Sequence, residues 1–122
     1  MAAISDAEGL VMEVLWRNNP LGADEIAKAL QGQQDWQFAT VKTLVSRLLT
    51  KGAISAERDG RRYLYSPVLQ RDAWLREQSV GLVDRLFDGR LAPLVAHFSS
   101  HRKLKKADLE ALRAILKEHD RD

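Results

Sequence analysis

A mainly α fold carrying one small β-hairpin is predicted for this 122-residue chain by three observations. Apolar residues recur at helical spacing in three stretches before Gly52, two short β-forming runs then flank Asp59-Gly60, and beyond Pro67 the composition turns to long helical patterning. The length holds one domain, or a small domain with an appendage, and is too short for two full-sized domains. Hydrophobic residues at 45% and charged residues at 30% match an ordinary globular chain, so a packed core is expected despite a mean hydropathy of -0.33.

Ser5-Asp6-Ala7-Glu8 has the Ser-x-x-Glu form of a capping box, and Leu10, Val11, Val14 and Leu15 follow at helical spacing, which predicts a helix from Asp6 to Arg17. Asn18-Asn19-Pro20 stops it, because proline cannot continue a helix and disfavours helical geometry in the residue before it. A second, short helix is expected from Ala23 to Gln31, with Asp24 and Glu25 in its first turn, Ile26, Ala27 and Leu30 on one side, and Gly32 as its cap. From Phe38 to Lys51 the stripe Val41, Leu44, Val45 and Leu48 predicts a third helix ended by Gly52. Ile54 to Arg58 and Arg62 to Ser66 read as the strands of a hairpin turning at Asp59-Gly60, with Arg58, Arg61 and Arg62 at or near its tip.

Three more helices are expected after Pro67. Ala73, Trp74, Val80, Leu82, Val83, Leu86 and Phe87 mark one of roughly four turns that ends near Gly89 and has a weak point at Gly81. Leu91, Leu94, Val95 and Phe98 mark the next, with Pro93 tolerable in its first turn. Leu109, Leu112, Ile115 and Leu116 mark the last, from about Lys106 to His119. These helices carry more apolar surface than a short appendage can bury on itself, which points to burial against a second copy.

Composition and motifs exclude several classes of function. With no cysteine there is no disulfide, thiolate metal site, redox switch or cysteine nucleophile. No apolar run is long enough to span a membrane, and Met1 to Asp6 has neither the basic nor the apolar region of a secretory signal, so a cytoplasmic protein without membrane insertion is expected. His97 and His101 stand one helical turn apart, but no third ligand is evident and no acidic residue follows the first histidine, so no metal site and no hydrolase built on this pair is expected. His119 suits the C-terminal end of its helix, and Trp16, Trp36 and Trp74, on separate elements, read as packing anchors rather than a stacking platform. With no nucleophile motif and no glycine-rich phosphate loop, an enzyme is not expected, nor is a cofactor.

Net charge is only +2, but its distribution is uneven. Residues 1–35 hold two basic and six acidic side chains, whereas residues 36–70 hold six basic and two acidic. The cations fall on the third helix and the hairpin. Thr40, Thr43, Arg47 and Thr50 line one face of that helix, with Lys42 and Ser46 alongside. Three helices followed by a hairpin, the third helix polar and basic outside, is the order of a winged helix-turn-helix. A major groove admits one such helix, whose hydroxyls and cations reach phosphates and base edges. Thr43 and Arg47 are the expected base-facing residues, Thr40 and Lys42 the expected phosphate anchors, and Arg58, Arg61 and Arg62 the expected wing contacts.

The stretch Ala39-Thr-Val-Lys-Thr-Leu-Val-Ser-Arg-Leu-Leu-Thr-Lys-Gly52, preceded by Asp35-Trp36, resembles the penicillinase repressor family of the BlaI, MecI and CopY type. The segments Ile4 to Glu8 and Val11 to Trp16 share the resemblance, as do Gly89 to Phe98 and Asp108 to Leu116, which are similar to the family's dimerisation helices. The resemblance implies a homodimeric repressor on inverted-repeat operators, released when a protease linked to a membrane sensor peptidase cleaves it. Copper-responsive members use a cysteine-rich tail, which the absence of cysteine excludes here. Antibiotic-responsive members are cut between Asn and Phe. The matching bond here joins His97 to Phe98 within Leu94 to Phe98, a departure that leaves the cut itself open, and Gln37-Phe38 replaces the family's usual serine-containing helix start.

The expected protein is therefore a homodimeric winged-helix transcriptional repressor, residues 1–70 binding double-stranded DNA and residues 71–122 dimerising through Leu94, Phe98, Leu109, Leu112, Ile115 and Leu116. A winged-helix regulator answering to a small molecule at the dimer interface is the alternative.

Overall fold

The computed structural model describes residues 3–121. Their order is α1 (Asp6–Arg17), α2 (Ala23–Leu30), α3 (Phe38–Thr50), β1 (Ile54–Asp59), β2 (Arg62–Pro67), α4 (Arg71–Phe87), α5 (Leu91–His101) and α6 (Lys106–Asp120). The winged helix-turn-helix order is the one the sequence predicts. The chain divides into two compact units, with the boundary between Leu75 and Arg76.

Local chemistry sets the element ends. Glu8 N–H donates to Ser5 Oγ at 3.1 Å and Ser5 N–H donates to Glu8 Oε1 at 2.8 Å, a reciprocal capping box that satisfies two otherwise unpaired amides at the start of α1. At α2 only half of such a box forms, because its N-cap is Gly22, whose N–H donates to Glu25 Oε1 at 3.0 Å. The helix stops at Leu30, one residue short of the expected Gln31, which instead caps it. Gly52 follows α3 with φ +75°, a left-handed conformation that glycine adopts without a Cβ clash.

The hairpin turn lies one residue later than expected. The strands pair from Ile54↔Pro67 to Asp59↔Arg62, so the connecting residues are Gly60-Arg61 rather than Asp59-Gly60. Gly60 has φ +64°, and hairpin turns with glycine at the first central position accommodate strand twist well. Arg61 consequently sits at the very tip. Leu21 adds a single bridge to Tyr65, donating and accepting at 3.1 and 2.8 Å, which ties the α1–α2 connection to the inner strand.

The core of the first unit is the meeting of three helices. Val11, Met12, Val14 and Leu15 from α1, Ile26 and Leu30 from α2, and Val41, Leu44, Val45 and Leu48 from α3 are all buried, with Ala53 and Ile54 closing the end towards the hairpin. The first turn of α4 belongs to this unit. Trp74 packs against Gly9, where a Cβ would approach its ring to 3.2 Å, and lies 5.3 Å from the Trp16 ring by centroids. Trp16 Nε1 donates to the Leu69 carbonyl at 2.9 Å, and Arg71 pairs with Glu13 at 3.0 Å.

The second unit comprises the rest of α4 with α5 and α6. Gly81, the expected weak point, does not interrupt α4, which runs unbroken for 17 residues: at about 1 kcal/mol relative to alanine, one glycine is outweighed by the rest of a long helix. None of the described residues of these three helices is buried.

Candidate nucleic-acid interface

Because Val41, Leu44, Val45 and Leu48 are drawn into the core, the 3.6-residue period turns Thr40, Lys42, Thr43, Ser46 and Arg47 to solvent on α3. A second restraint acts at the far end of the helix. The Lys51 ammonium donates to Glu8 Oε1 at 2.5 Å and to the Ala3 carbonyl at 2.7 Å, pinning the C-terminal end of α3 to the start of α1. Glu8 is only 1% exposed, and its Oε2 is buried with no hydrogen-bond partner among the described residues. Burial alone would raise its carboxyl pKa, but the bonds from Lys51 and Ser5 outweigh that and hold it below the usual carboxylate range. From its spacing, Glu8 reads only as a capping residue. The signal available was an i+3 glutamate whose helix places it among apolar neighbours, and it named no partner 43 residues away.

The threonines are not equivalent. Thr43 Oγ1 donates back to the Ala39 carbonyl at 3.0 Å and Thr50 Oγ1 to the Ser46 carbonyl at 3.1 Å, so both hydroxyl protons are occupied within the helix and the oxygens remain acceptors. Thr40 makes no such bond among those found in the described residues. Phe38, the first residue of α3, is 48% exposed, and the Lys42 ammonium lies 5.9 Å from its ring centroid.

The three wing arginines occupy different positions. Arg58 Nε donates to the Gly60 carbonyl at 3.0 Å, and its guanidinium lies 5.9 Å from the Tyr63 ring. Arg61 is exposed at the turn. Arg62 is bound by Glu25 through a guanidinium–carboxylate pair that joins the wing to α2. The Gly22 amide and then this guanidinium hold the Glu25 carboxyl below its ordinary pKa. Thr40, Lys42, Thr43, Arg47, Arg58 and Arg61 thus form an exposed polar and cationic set in one unit, with Arg62 held by a carboxylate.

In the second unit, Leu94, Leu109 and Leu112 are half-buried, while Phe98, Ile115 and Leu116 are exposed, the last two to 58% and 60%. An apolar groove between α5 and α6 is lined by Leu91, Val95, Leu112 and Leu116 with two alanines. His97 and Phe98 both lie inside α5, where the His97 ring meets Phe87 edge-on at 6.2 Å and lies 6.3 Å from that of His101. No helix of the described residues is long and apolar enough to cross a membrane.

The penicillinase repressor family model matches residues 4–118. The penicillinase repressor of Bacillus licheniformis is 31% identical over 116 residues, covering 95% of this chain and 91% of that one. The methicillin resistance regulatory protein MecI of Staphylococcus aureus is 30% identical over 113 residues, covering 93% of this chain and 92% of its own. Among solved structures, monomeric Bacillus licheniformis BlaI in complex with the blaP half-operator is similar with a TM-score of 0.52 and 34% identity, over 58% of this chain and 87% of that one.

Proposed function

Because the chain belongs to the penicillinase repressor family, we propose that it is a DNA-binding transcriptional repressor that occupies an inverted-repeat operator as a homodimer. The observation that carries this reading is the exposed face of α3, polar and cationic and backed by a packed core, within a unit similar to the one that BlaI sets on its half-operator. On this reading α3 enters the major groove, Thr43 and Arg47 face base edges, Thr40 and Lys42 hold phosphates, and Arg58 and Arg61 neutralise backbone beside the groove. Arg62, paired with Glu25 in the free protein, contributes by exchanging that carboxylate for a phosphate. Residues 1–75 are the DNA-binding part and residues 76–122 the dimerising part, five residues beyond the boundary expected from the sequence because Arg71 and Trp74 at the start of α4 pack on α1, and repression is exclusion of polymerase from the bound site, in the cytoplasm. The chemistry needs no catalytic group and no cofactor.

A titration with a duplex selected from a randomised pool tests the base contacts. Arg47→Ala is expected to weaken binding by about 1–3 kcal/mol, the range for one lost base-reading pair. Wild-type affinity in that variant removes Arg47 from the interface. The wing is expected to act through charge, so replacing Arg58 and Arg61 by alanine should shrink the salt slope by roughly 0.9 per lost phosphate contact. An unchanged slope places the hairpin off the DNA.

Release by proteolysis between His97 and Phe98 is the matching proposal for induction. A cut there separates the DNA-binding part from α6, and the bond must first open locally because it lies within a helix. The mass of the protein recovered from derepressed cells decides it: an intact chain rules the cut out and favours release by a small ligand.

A further inference from the structure

Resting on the DNA-binding reading, we propose that Phe38 reads the 5-methyl group of a thymine in the major groove and is a specificity residue beside the polar face of α3. The core does not claim this ring. Val41, Leu44, Val45 and Leu48 form the buried stripe of the helix, whereas Phe38, its largest apolar side chain, is 48% exposed at the leading end. In a helix-turn-helix the first residues of the recognition helix are among those that meet base edges, and Phe38 is the first residue of α3. A phenyl ring has no hydrogen-bonding atom, and the apolar feature that the major groove displays is the thymine methyl. Lys42, one turn further on, keeps its ammonium 5.9 Å from the ring centroid, so an apolar surface and a phosphate-seeking cation are presented together. Both line a shallow depression with Arg61, Arg62 and Tyr63 of the hairpin and Asp24 of α2, which places the ring between the helix and the wing and not on an isolated bulge.

The experiment uses the full-length protein and a duplex enriched by it from a randomised pool. Each thymine of a half-site is replaced in turn by deoxyuridine, which deletes the methyl and leaves every hydrogen-bonding atom. Wild type is expected to lose about fourfold in affinity at one position, the effect of one methyl removed from apolar contact. Phe38→Ala is expected to bind the thymine duplex more weakly and to hold the uracil duplex equally well, while Phe38→Leu keeps part of the preference. Thermal unfolding checks that the fold survives, and Phe38→Gln takes the same test should Phe38→Ala fail to fold. Wild-type affinity that is blind to uracil at every position, or a preference that persists without the ring, overturns the assignment and leaves DNA binding standing. A pool from which the wild type enriches nothing overturns DNA binding and the role of Phe38 together.

Discussion

Replacing Leu112 and Leu116 by glutamate is expected to make the protein monomeric, leave its first unit folded and lower operator affinity by roughly 10²–10⁴-fold, the gain that linkage of two half-sites supplies. Among the described residues α4 to α6 bury none completely, and Leu91, Val95, Leu112 and Leu116 leave an apolar groove open to solvent. Apolar surface of this kind is stabilised when a second copy covers it, and a two-fold dimer uses the same patch twice, so two substitutions place four carboxylates in one interface. A monomer then holds one half-site and loses the effective concentration of the second. Sedimentation reads the oligomeric state and a duplex titration the affinity. A variant that sediments as a dimer moves the interface elsewhere.

Lys51→Met is expected to destabilise the first unit by about 3 kcal/mol, near the low end for breaking a buried ion pair because Lys51 itself is partly solvated. The substitution leaves the Glu8 carboxylate buried with Ser5 as its remaining partner, while its second oxygen has none. The same pair sets a pH dependence. The folded Glu8 pKa lies below its ordinary value, so its contribution to stability is present in full above that ordinary value and is lost as pH falls through the lowered one. Glu8→Gln should therefore lower stability at neutral pH and flatten this part of the acid limb. Urea denaturation across the acid range measures both effects. A Lys51→Met variant with wild-type stability shows that the pair is worth no more than an exposed one, and an acid limb unchanged in Glu8→Gln assigns the proton uptake to other carboxylates.

How much was legible in the sequence depended on the range of the interaction involved. Ser5 with Glu8, the stripe Val41 to Leu48 and Gly52 are signals within a turn or two of chain, and α1 falls where they place it while α3 ends at Thr50, one residue short of the expected Lys51, which caps it. The hairpin was recognisable from its β-forming runs, but its turn slipped by one residue because Asp59-Gly60 is a favoured turn pair whereas the strand register carries Asp59 into the ladder opposite Arg62. Contacts between distant residues left no periodic trace. Glu8 with Lys51, Arg62 with Glu25 and Trp74 on Gly9 join positions 37 to 65 residues apart, and each partner taken alone reads as a cap, a surface cation or an interface anchor. The hydroxyl of Thr43 is a subtler case: its outward position follows from helical spacing, but the donation of its proton to Ala39 depends on a side-chain rotamer that spacing does not determine.

The lack of a buried residue in α4 to α6 carries over from structure to quantity. Helices whose apolar side chains find cover on another molecule draw their stability from mass action, so it rises with the amount of protein present. At low abundance the same helices open at little cost, and opened chain is what proteases degrade. For the proposed homodimer, scarce copies would then be removed faster than abundant ones, and occupancy of a paired site would fall more steeply with dilution than simple binding would give. In the proposed homodimer the second unit thereby couples the lifetime of the protein to its own concentration.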